Sequence, residues 1–338
     1  MSSIPLRAAR ILAIVPLLVL LAACAGGAAD PGTLVVLTHG PSGEVRFMQI
    51  GSGKITDRVS VGGEPQSLVR DAARGRVYVT DGAGDSVAVV DVLNHEVVDR
   101  VHVGREPGFA TLSPDGRRLY VTVSGENALA VIDAESLAVL GRVPVGNRPM
   151  GVAVSSDGSR VFVANDGDDT IVVIDPVQQR RMARPLPVPS GVYGGLALSN
   201  DGTMLLSGTM GRSSIAAITL GNRTVKEIAL SPAVEDGRAP HNLLATPDGR
   251  YWLVAIGDDD QVVALPAGGG VPKPIQVGQH PSGMAVAPGG RALVAARDSA
   301  DLVEVDLDKG KATRHIRVGE GHTDVTVFSK SALEQLRK

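Results

Sequence analysis

Two short motifs recur along this chain at a constant interval, and this repetition constrains the fold more than any other feature. A Val-Gly pair recurs at Val61-Gly62, Val103-Gly104, Val145-Gly146, Val277-Gly278 and Val318-Gly319. If Val188 and the stretch near Leu230 are divergent copies, the period is about 43 residues. An Asp-Gly pair keeps the same interval, at Asp115-Gly116, Asp157-Gly158, Asp201-Gly202 and Asp248-Gly249. Two independent markers in phase indicate a repeat architecture.

Each repeat contains four short strand signals. In residues 107–145 the runs GFATLS, RRLYVTVS, ALAVIDA and AVLGRVPV are separated by turns rich in Gly, Asp, Asn and Pro. Such Val-rich runs between turn residues predict strands, here named a to d in chain order. The connections are too short for the crossovers that parallel strands need, so the sheets are predicted to be antiparallel. Repeated four-stranded units are typical of the blades of a β-propeller.

The repeats predict an all-β, seven-bladed β-propeller with four-stranded antiparallel blades. Six complete units begin near Pro65, Pro107, Pro149, Tyr193, Pro240 and Pro281. Residues 34–61 align with the last three strands of a unit, and residues 323–328 align with the first strand. One blade is therefore predicted to be shared between the two chain ends, which closes the ring and leaves no open edge.

The strand-b and strand-c segments resemble a known repeat. RVYVTDGAGDSVAVVDV, RLYVTVSGENALAVIDA and RVFVANDGDDTIVVIDP are similar to the Tyr-Val-Thr-Asn (YVTN) propeller repeat, a WD40-like unit. The resemblance extends to the propellers of cytochrome-type nitrite reductases and of propeller lactonases. It implies the fold over residues 34–328 and implies little about activity, because one fold hosts many functions.

The N-terminus has the pattern of a bacterial lipoprotein signal. Arg7 and Arg10 precede an apolar stretch of thirteen residues, too short to span a bilayer, which ends in Leu-Ala-Ala-Cys. We predict a signal peptide at residues 1–23, a lipidated Cys24 carrying diacylglycerol and palmitate, and a spacer that completes residues 24–33. The propeller then spans residues 34–328, and residues 329–338 form a short tail. This predicts a monomer outside the cytoplasm, anchored by lipid to the periplasmic face of the cell membrane, or to an outer membrane where one exists.

Composition excludes several classes of function. The net charge is −3 and the chain has nine aromatic residues, so neither a basic patch nor a base-stacking surface for nucleic acid is expected. Cys24 is the only cysteine, which excludes an internal disulfide framework and Cys-based zinc or iron–sulfur sites. Without a Cys-x-x-Cys-His motif, covalent c-type haem is also excluded.

Four of the seven histidines are predicted to gather at one face of the ring. His39 lies in the b–c loop of the shared blade, while His241, His280 and His322 lie at d–a loops, which emerge on the same face. These blades are consecutive, so the imidazoles are expected to form an arc, and they are the metal ligands if a metal is bound. Strand alternation places Asp324 beside His322, where its carboxylate could orient the ring.

Arginines reach the same face. Arg238 belongs to the longest irregular loop, residues 231–240, and Arg297 lies in a b–c loop. Because arginine binds carboxylates and phosphates in a bidentate manner, the rim is expected to accept a small anionic ligand.

These features favour a non-catalytic binding or scaffold protein that uses its histidine-bearing rim to hold an extracytoplasmic protein or a small anionic ligand. Two alternatives stay open. One is the handling of haem, another tetrapyrrole or a divalent metal, as the resemblance to nitrite reductase propellers implies, with His39, His241, His280 and His322 as ligands. The other is a lactonase-like hydrolase that uses Asp324, His322 and Arg297.

Overall fold

The predicted strands fold as seven four-stranded antiparallel sheets arranged in a ring. The structure is a computed structural model that describes residues 30–188, 191–230 and 240–338. The signal peptide, Cys24 and Arg238 lie outside the described residues. The seven sheets confirm the predicted β-propeller, with strand a innermost and strand d outermost in each blade.

The first blade is built from both ends of the chain. Its strands are β29 (His322–Phe328), β1 (Leu34–His39), β2 (Glu44–Gln49) and β3 (Lys54–Ser60), in that order from the axis outwards. β1 is antiparallel to β29, with Leu34 opposite Phe328. The predicted sharing of one blade between the chain ends is therefore confirmed.

The other six blades are consecutive in sequence, and their innermost strands begin at the predicted residues. Blade 2 contains β4 (Pro65–Asp71), β5 (Arg76–Asp81), β6 (Ser86–Asp91) and β7 (Glu96–His102). Blade 3 contains β8 (Pro107–Leu112), β9 (Arg118–Val123), β10 (Ala128–Asp133) and β11 (Val139–Pro144). Blade 4 contains β12 (Pro149–Val154), β13 (Val161–Asn165), β14 (Thr170–Asp175) and an interrupted outer strand formed by β15 (Arg180–Arg181) and β16 (Leu186–Pro187).

Blades 5 to 7 complete the ring. Blade 5 contains β17 (Tyr193–Leu198), β18 (Met204–Gly208), β19 (Ser214–Thr219) and β20 (Thr224–Ala229). Blade 6 contains β21 (Pro240–Ala245), β22 (Tyr251–Ile256), β23 (Gln261–Pro266) and β24 (Lys273–Gln276). Blade 7 contains β25 (Pro281–Val286), β26 (Ala292–Ala296), β27 (Asp301–Asp306) and β28 (Lys311–Arg317).

The hydrophobic core lies between the blades rather than at the axis. Each pair of adjacent blades encloses its own buried cluster, seven clusters among the described residues. Val36 and Phe328 of blade 1, for example, are fully buried with Val77 of blade 2. The C-terminal helix α1 (Lys330–Leu336) packs Leu333 and Leu336 against this same cluster. Strand b therefore buries both of its faces, which explains its near-continuous Val-rich sequence.

Threonines on strand b link neighbouring innermost strands in blades 2 and 3. The Thr122 hydroxyl accepts a hydrogen bond from Phe109 N at 3.0 Å and donates to the Met150 carbonyl of the next blade at 2.9 Å. Thr80 makes the equivalent bonds one blade earlier, to Ser67 N and the Gly108 carbonyl. The threonine of the YVTN-like repeat therefore connects blades.

The ring presents two unlike faces. The face with the a–b and c–d loops is made of tight turns, in which a hydroxyl such as that of Ser113 donates to Asp115 two residues later at 2.6 Å. The opposite face carries the b–c and d–a loops and is called the top face. The central channel, about 350 Å³ in volume, is lined by the innermost strands.

No helix in residues 30–188, 191–230 and 240–338 is long and apolar enough to cross a membrane.

Candidate ligand-binding site

On the top face, the residue that precedes strand a has the same backbone conformation in blades 3, 4 and 7. Glu106, Arg148 and His280 have φ angles of 55°, 49° and 52°, in the left-handed region. Each backbone N–H donates to a side chain in the b–c loop of the preceding blade; the acceptors are Asp85, Asn127 and Asp260. A left-handed conformation is costly for a residue with a Cβ, so these bonds fix strained residues at the channel mouth.

His39 and His322 lie against each other in the shared blade, and both rings make hydrogen bonds within the protein. Their ring centroids lie 5.2 Å apart, and His322 is only 1% exposed. The His322 Nδ1 lies 2.9 Å from the Thr38 carbonyl oxygen, and its Nε2 lies 3.0 Å from that of Val318. His39 Nδ1 lies 2.6 Å from the Ser42 hydroxyl. The contact from His322 to Thr38 links the strands from the two ends of the chain.

Asp324 does not orient His322, contrary to the expectation from strand alternation. Its Oδ2 accepts a hydrogen bond from Leu68 N and its Oδ1 from Val325 N, each at 2.8 Å. Strand a loses its regular pairing near its start, as the irregular register between β1 and β29 after Leu37 shows, so simple alternation fails there. Burial raises the pKa of Asp324 to about 7, while the two N–H groups favour the charged form. Asp324 lines the central channel.

His241 and His280 form a second, separate pair on blades 6 and 7. Their ring centroids lie 5.2 Å apart, and the Tyr193 ring of blade 5 lies 5.3 Å from His241 in an edge-on arrangement. The Nε2 of His241 is buried and has no hydrogen-bond partner among the described residues. Burial lowers the pKa of His241, and so do the nearby charges of His280 and Arg297. The ring is therefore neutral at neutral pH, and its Nε2 stays free of hydrogen bonds to the residues that the structure describes.

A glycine lets His241 occupy this position. A Cβ on Gly194 would lie only 2.1 Å from the His241 carbonyl oxygen, and Gly194 has a φ of 68°. Only glycine tolerates both the contact and the conformation, so strand β17 can run close beside β21.

Arg148 and Asp166 extend the site onto blade 4. Arg148 Nη2 lies 3.0 Å from Asp166 Oδ2; the Arg148 side chain is 69% exposed and that of Asp166 only 2%. Asp166 Oδ1 is buried and has no partner within residues 30–188, 191–230 and 240–338. Burial raises the pKa of Asp166, and the charge of Asp169 adds to this, whereas Arg148 lowers it. Burial also raises the pKa of Tyr193, as do the charges of Asp166 and Asp258, so the phenol keeps its proton.

Two hollows flank these residues at the channel mouth. One, of about 490 Å³, is lined by residues of blades 2 to 4 that include Gln66, Phe109 and Arg148. The other, of about 620 Å³, is lined by Glu64, Gln66, Arg297 and Asp298, among others. Arg297 Nε donates to Asp298 Oδ1 at 3.2 Å, and the same carboxylate faces His280. The two hollows share Glu64 and Gln66 in their linings and present the cationic groups of Arg148 and Arg297 and the acidic group of Asp298.

The structure places the sequence-predicted residues in three locations. His241, His280 and Arg297 lie together at the mouth; His39 and His322 lie in the closing blade; Asp324 lies in the channel. The four histidines thus form two pairs on three consecutive blades. In the part of the chain that the structure describes, no three His, Cys, Asp or Glu side chains are placed to hold a metal ion together.

Sequence reasoning assigned no site role to Tyr193 or Asp166. A signal was present for Tyr193, which occupies the position that proline holds at the start of strand a in blades 2, 3, 4, 6 and 7. Asp166 gave a misleading signal, because it lies in a run of acidic loop residues that looks solvated. Only the fold shows that its side chain turns inward to Arg148.

Comparison with known proteins supports the fold. No family model matches the chain, and no curated protein matches it. Among solved structures, the periplasmic gluconolactonase PpgL of Pseudomonas aeruginosa is similar with a TM-score of 0.71 and 22% identity, over 88% of this chain and 99% of that one. Dihydro-heme d1 dehydrogenase NirN has a TM-score of 0.63 and 15% identity, over 89% and 76%. Hydrazine synthase of Kuenenia stuttgartiensis has a TM-score of 0.67 and 20% identity, over 78% and 95%. Likenesses at this identity show the fold alone, a β-propeller.

Proposed function

We propose that this protein binds a small anionic ligand at the mouth of its channel and does not turn it over. One observation carries the proposal: His241 Nε2 and Asp166 Oδ1 are buried polar atoms without partners in the described part of the chain, and both lie near Tyr193. Buried polar atoms in proteins almost always have a hydrogen-bond partner, so a bound molecule is expected to supply the missing one.

The surrounding charges support an anionic ligand. Arg148 keeps most of its guanidinium in solvent, and Arg297 is 40% exposed. Either could hold a carboxylate or phosphate, while His241 and Tyr193 would bond to its hydroxyl groups.

The test is a screen of carboxylates, including aldonates, and of phosphates by thermal shift and calorimetry. A binder is expected to raise the Tm of the wild-type protein, with affinity at least about tenfold lower in Arg148→Ala and His241→Ala. His102→Ala is the matched control, since His102 is exposed on the outer strand of blade 2. Turnover of a binder that is abolished in His241→Ala would overturn the non-catalytic part of the proposal.

Tetrapyrrole handling is a second candidate, favoured by the unpartnered imidazole nitrogen of His241 beside the channel mouth. His241 would hold a haem through this nitrogen, which would bind the iron. Titration with haem should then shift the haem absorbance in the wild-type protein and not in His241→Ala. A lactonase built on Asp324, His322 and Arg297 has less support, because these side chains have separate partners.

We also propose that the protein acts outside the cytoplasm as a lipoprotein. The support is the signal-like pattern of residues 1–24, together with the similarity in fold to the periplasmic gluconolactonase PpgL. Labelled palmitate should be incorporated and the protein should sediment with membranes, and Cys24→Ser should lose both. Labelling that persists in Cys24→Ser would contradict the anchor.

A further inference from the structure

We propose that His241 and His280 form a binding site for a first-row transition-metal ion, with Cu²⁺ as the tightest divalent ion. The site shares His241 Nε2 with the ligand site proposed above, but it is argued from a separate observation at Gly257. It rests on two imidazole nitrogens that approach the same glycine, Gly257.

Gly257 is the point where the two rings meet. A Cβ at this residue would lie 3.0 Å from His280 Nε2 and 3.1 Å from His241 Nε2. The two nitrogens therefore approach one small space from blades 6 and 7, and residue 257 keeps that space open only because it lacks a side chain. Gly257 begins the short 3-10 turn Gly257–Asp259 that follows strand β22.

The chemistry of the two nitrogens suits a metal. Among the described residues, His241 Nε2 is buried and has no hydrogen-bond partner. Imidazole is a ligand for copper, nickel and zinc, and copper binds most tightly in this series.

His280 is oriented in the manner of a metal ligand. The backbone N–H of His280 donates to Asp260 Oδ1 at 3.0 Å, and its backbone carbonyl accepts from Arg297 N at 3.1 Å. These two bonds fix the backbone of His280. Its Nδ1 faces Asp298 Oδ2 at 3.8 Å, which leaves Nε2 turned toward Gly257. Metal-bound histidines commonly direct their other nitrogen at a carboxylate in this way.

Two protein ligands do not complete a coordination sphere. The remaining positions would be taken by water or by a donor atom of a small molecule, as in metal sites that keep open positions. The His280 side chain is 23% exposed, which provides a route from solvent.

The experiment titrates the chain from residue 25 onwards with CuCl₂, NiCl₂ and ZnCl₂ and no organic ligand, using calorimetry and, for copper, electron paramagnetic resonance. One tight copper is expected per chain, with hyperfine structure from two nitrogens. The affinity should fall at least about tenfold in His241→Gln and in His280→Gln. His315→Gln is the control, since His315 lies on the outer strand β28 of blade 7.

Gly257→Ala provides a test that keeps both histidines. The φ of Gly257 lies outside the left-handed region, so alanine is conformationally acceptable, and its methyl group would crowd both Nε2 atoms. This variant should also lose at least tenfold in copper affinity. Should Gly257→Ala fail to fold, the two glutamine variants decide. Wild-type copper affinity in a folded Gly257→Ala, or in both glutamine variants, would overturn the site and would leave anion binding at Arg148 untouched.

Discussion

At the scale of single residues, one backbone position carries quite different side chains. Glu106, Arg148 and His280 share a left-handed conformation and the same kind of hydrogen bond to the preceding blade. The hydrogen bond from the backbone N–H fixes the backbone at this position. The side chain therefore remains available to contact a ligand at the channel mouth.

The strain at this position is measurable at His280. His280→Ala keeps a Cβ in the left-handed region, whereas His280→Gly removes it. We expect the glycine variant to have the higher free energy of unfolding of the two, by about 1 kcal/mol. Urea denaturation of both variants provides the comparison, and equal stabilities would show that the position is not strained.

Asp324 is expected to make stability depend on pH. Its pKa in the folded protein, about 7, exceeds the ordinary value of 3.8, so between these values the folded state binds more protons than the unfolded state. Stability conferred by this group is present below pH 4 and is lost as pH rises toward 7. Asp324→Asn cannot ionise, so its stability relative to wild type should improve from pH 4 to pH 8 by on the order of 1–3 kcal/mol. Denaturant titrations at both pH values measure the change, and a constant difference would contradict it.

At the scale of the element, strand b contributes to stability through hydroxyl groups as well as apolar packing. Thr122 is buried and bonds both to its own blade and to the next one. The YVTN-like sequence therefore encodes contacts between blades in the first half of the ring. In blade 4 the equivalent residue of the repeat is Ala164, which makes no such bond.

Replacement of this hydroxyl should cost stability without changing shape. Thr122→Val leaves Phe109 N and the Met150 carbonyl without their partner, and we expect a loss of about 1–3 kcal/mol in the free energy of unfolding. Thr122→Ser keeps the hydroxyl and is the matched control. A valine variant as stable as the serine variant would show that the bond contributes little.

At the scale of the whole molecule, the ring depends on the blade that both chain ends build. His322 is buried there between the Thr38 and Val318 carbonyls. His322→Ala removes these bonds and opens a cavity, so we expect a loss of roughly 2–4 kcal/mol, against almost none for the exposed His102→Ala. Thermal and urea unfolding measure both. A loss no greater than that of the control would mean that the closure does not rely on this ring.

The ring was predictable from sequence, whereas the grouping of its side chains was not. Periodic Val-Gly and Asp-Gly pairs give the blade number, because each repeat can bury its apolar faces only against a neighbour. Strand alternation misplaced Asp324, since the register is irregular at the start of strand a. The pairing of His241 with His280 depends on Gly194 and Gly257, and a sequence does not reveal which glycine keeps a space open for which ring.

The position of β1 has a mechanical consequence. This strand is hydrogen-bonded on one side to β29 and on the other to β2, and the preceding residues continue the pairing, with Ile50 N donating to the Thr33 carbonyl. A pull on residue 30 along the axis of β1 would load both ladders in shear, so many bonds would have to break together rather than one after another. The seam of the ring is thus built to resist traction applied from the N-terminal side.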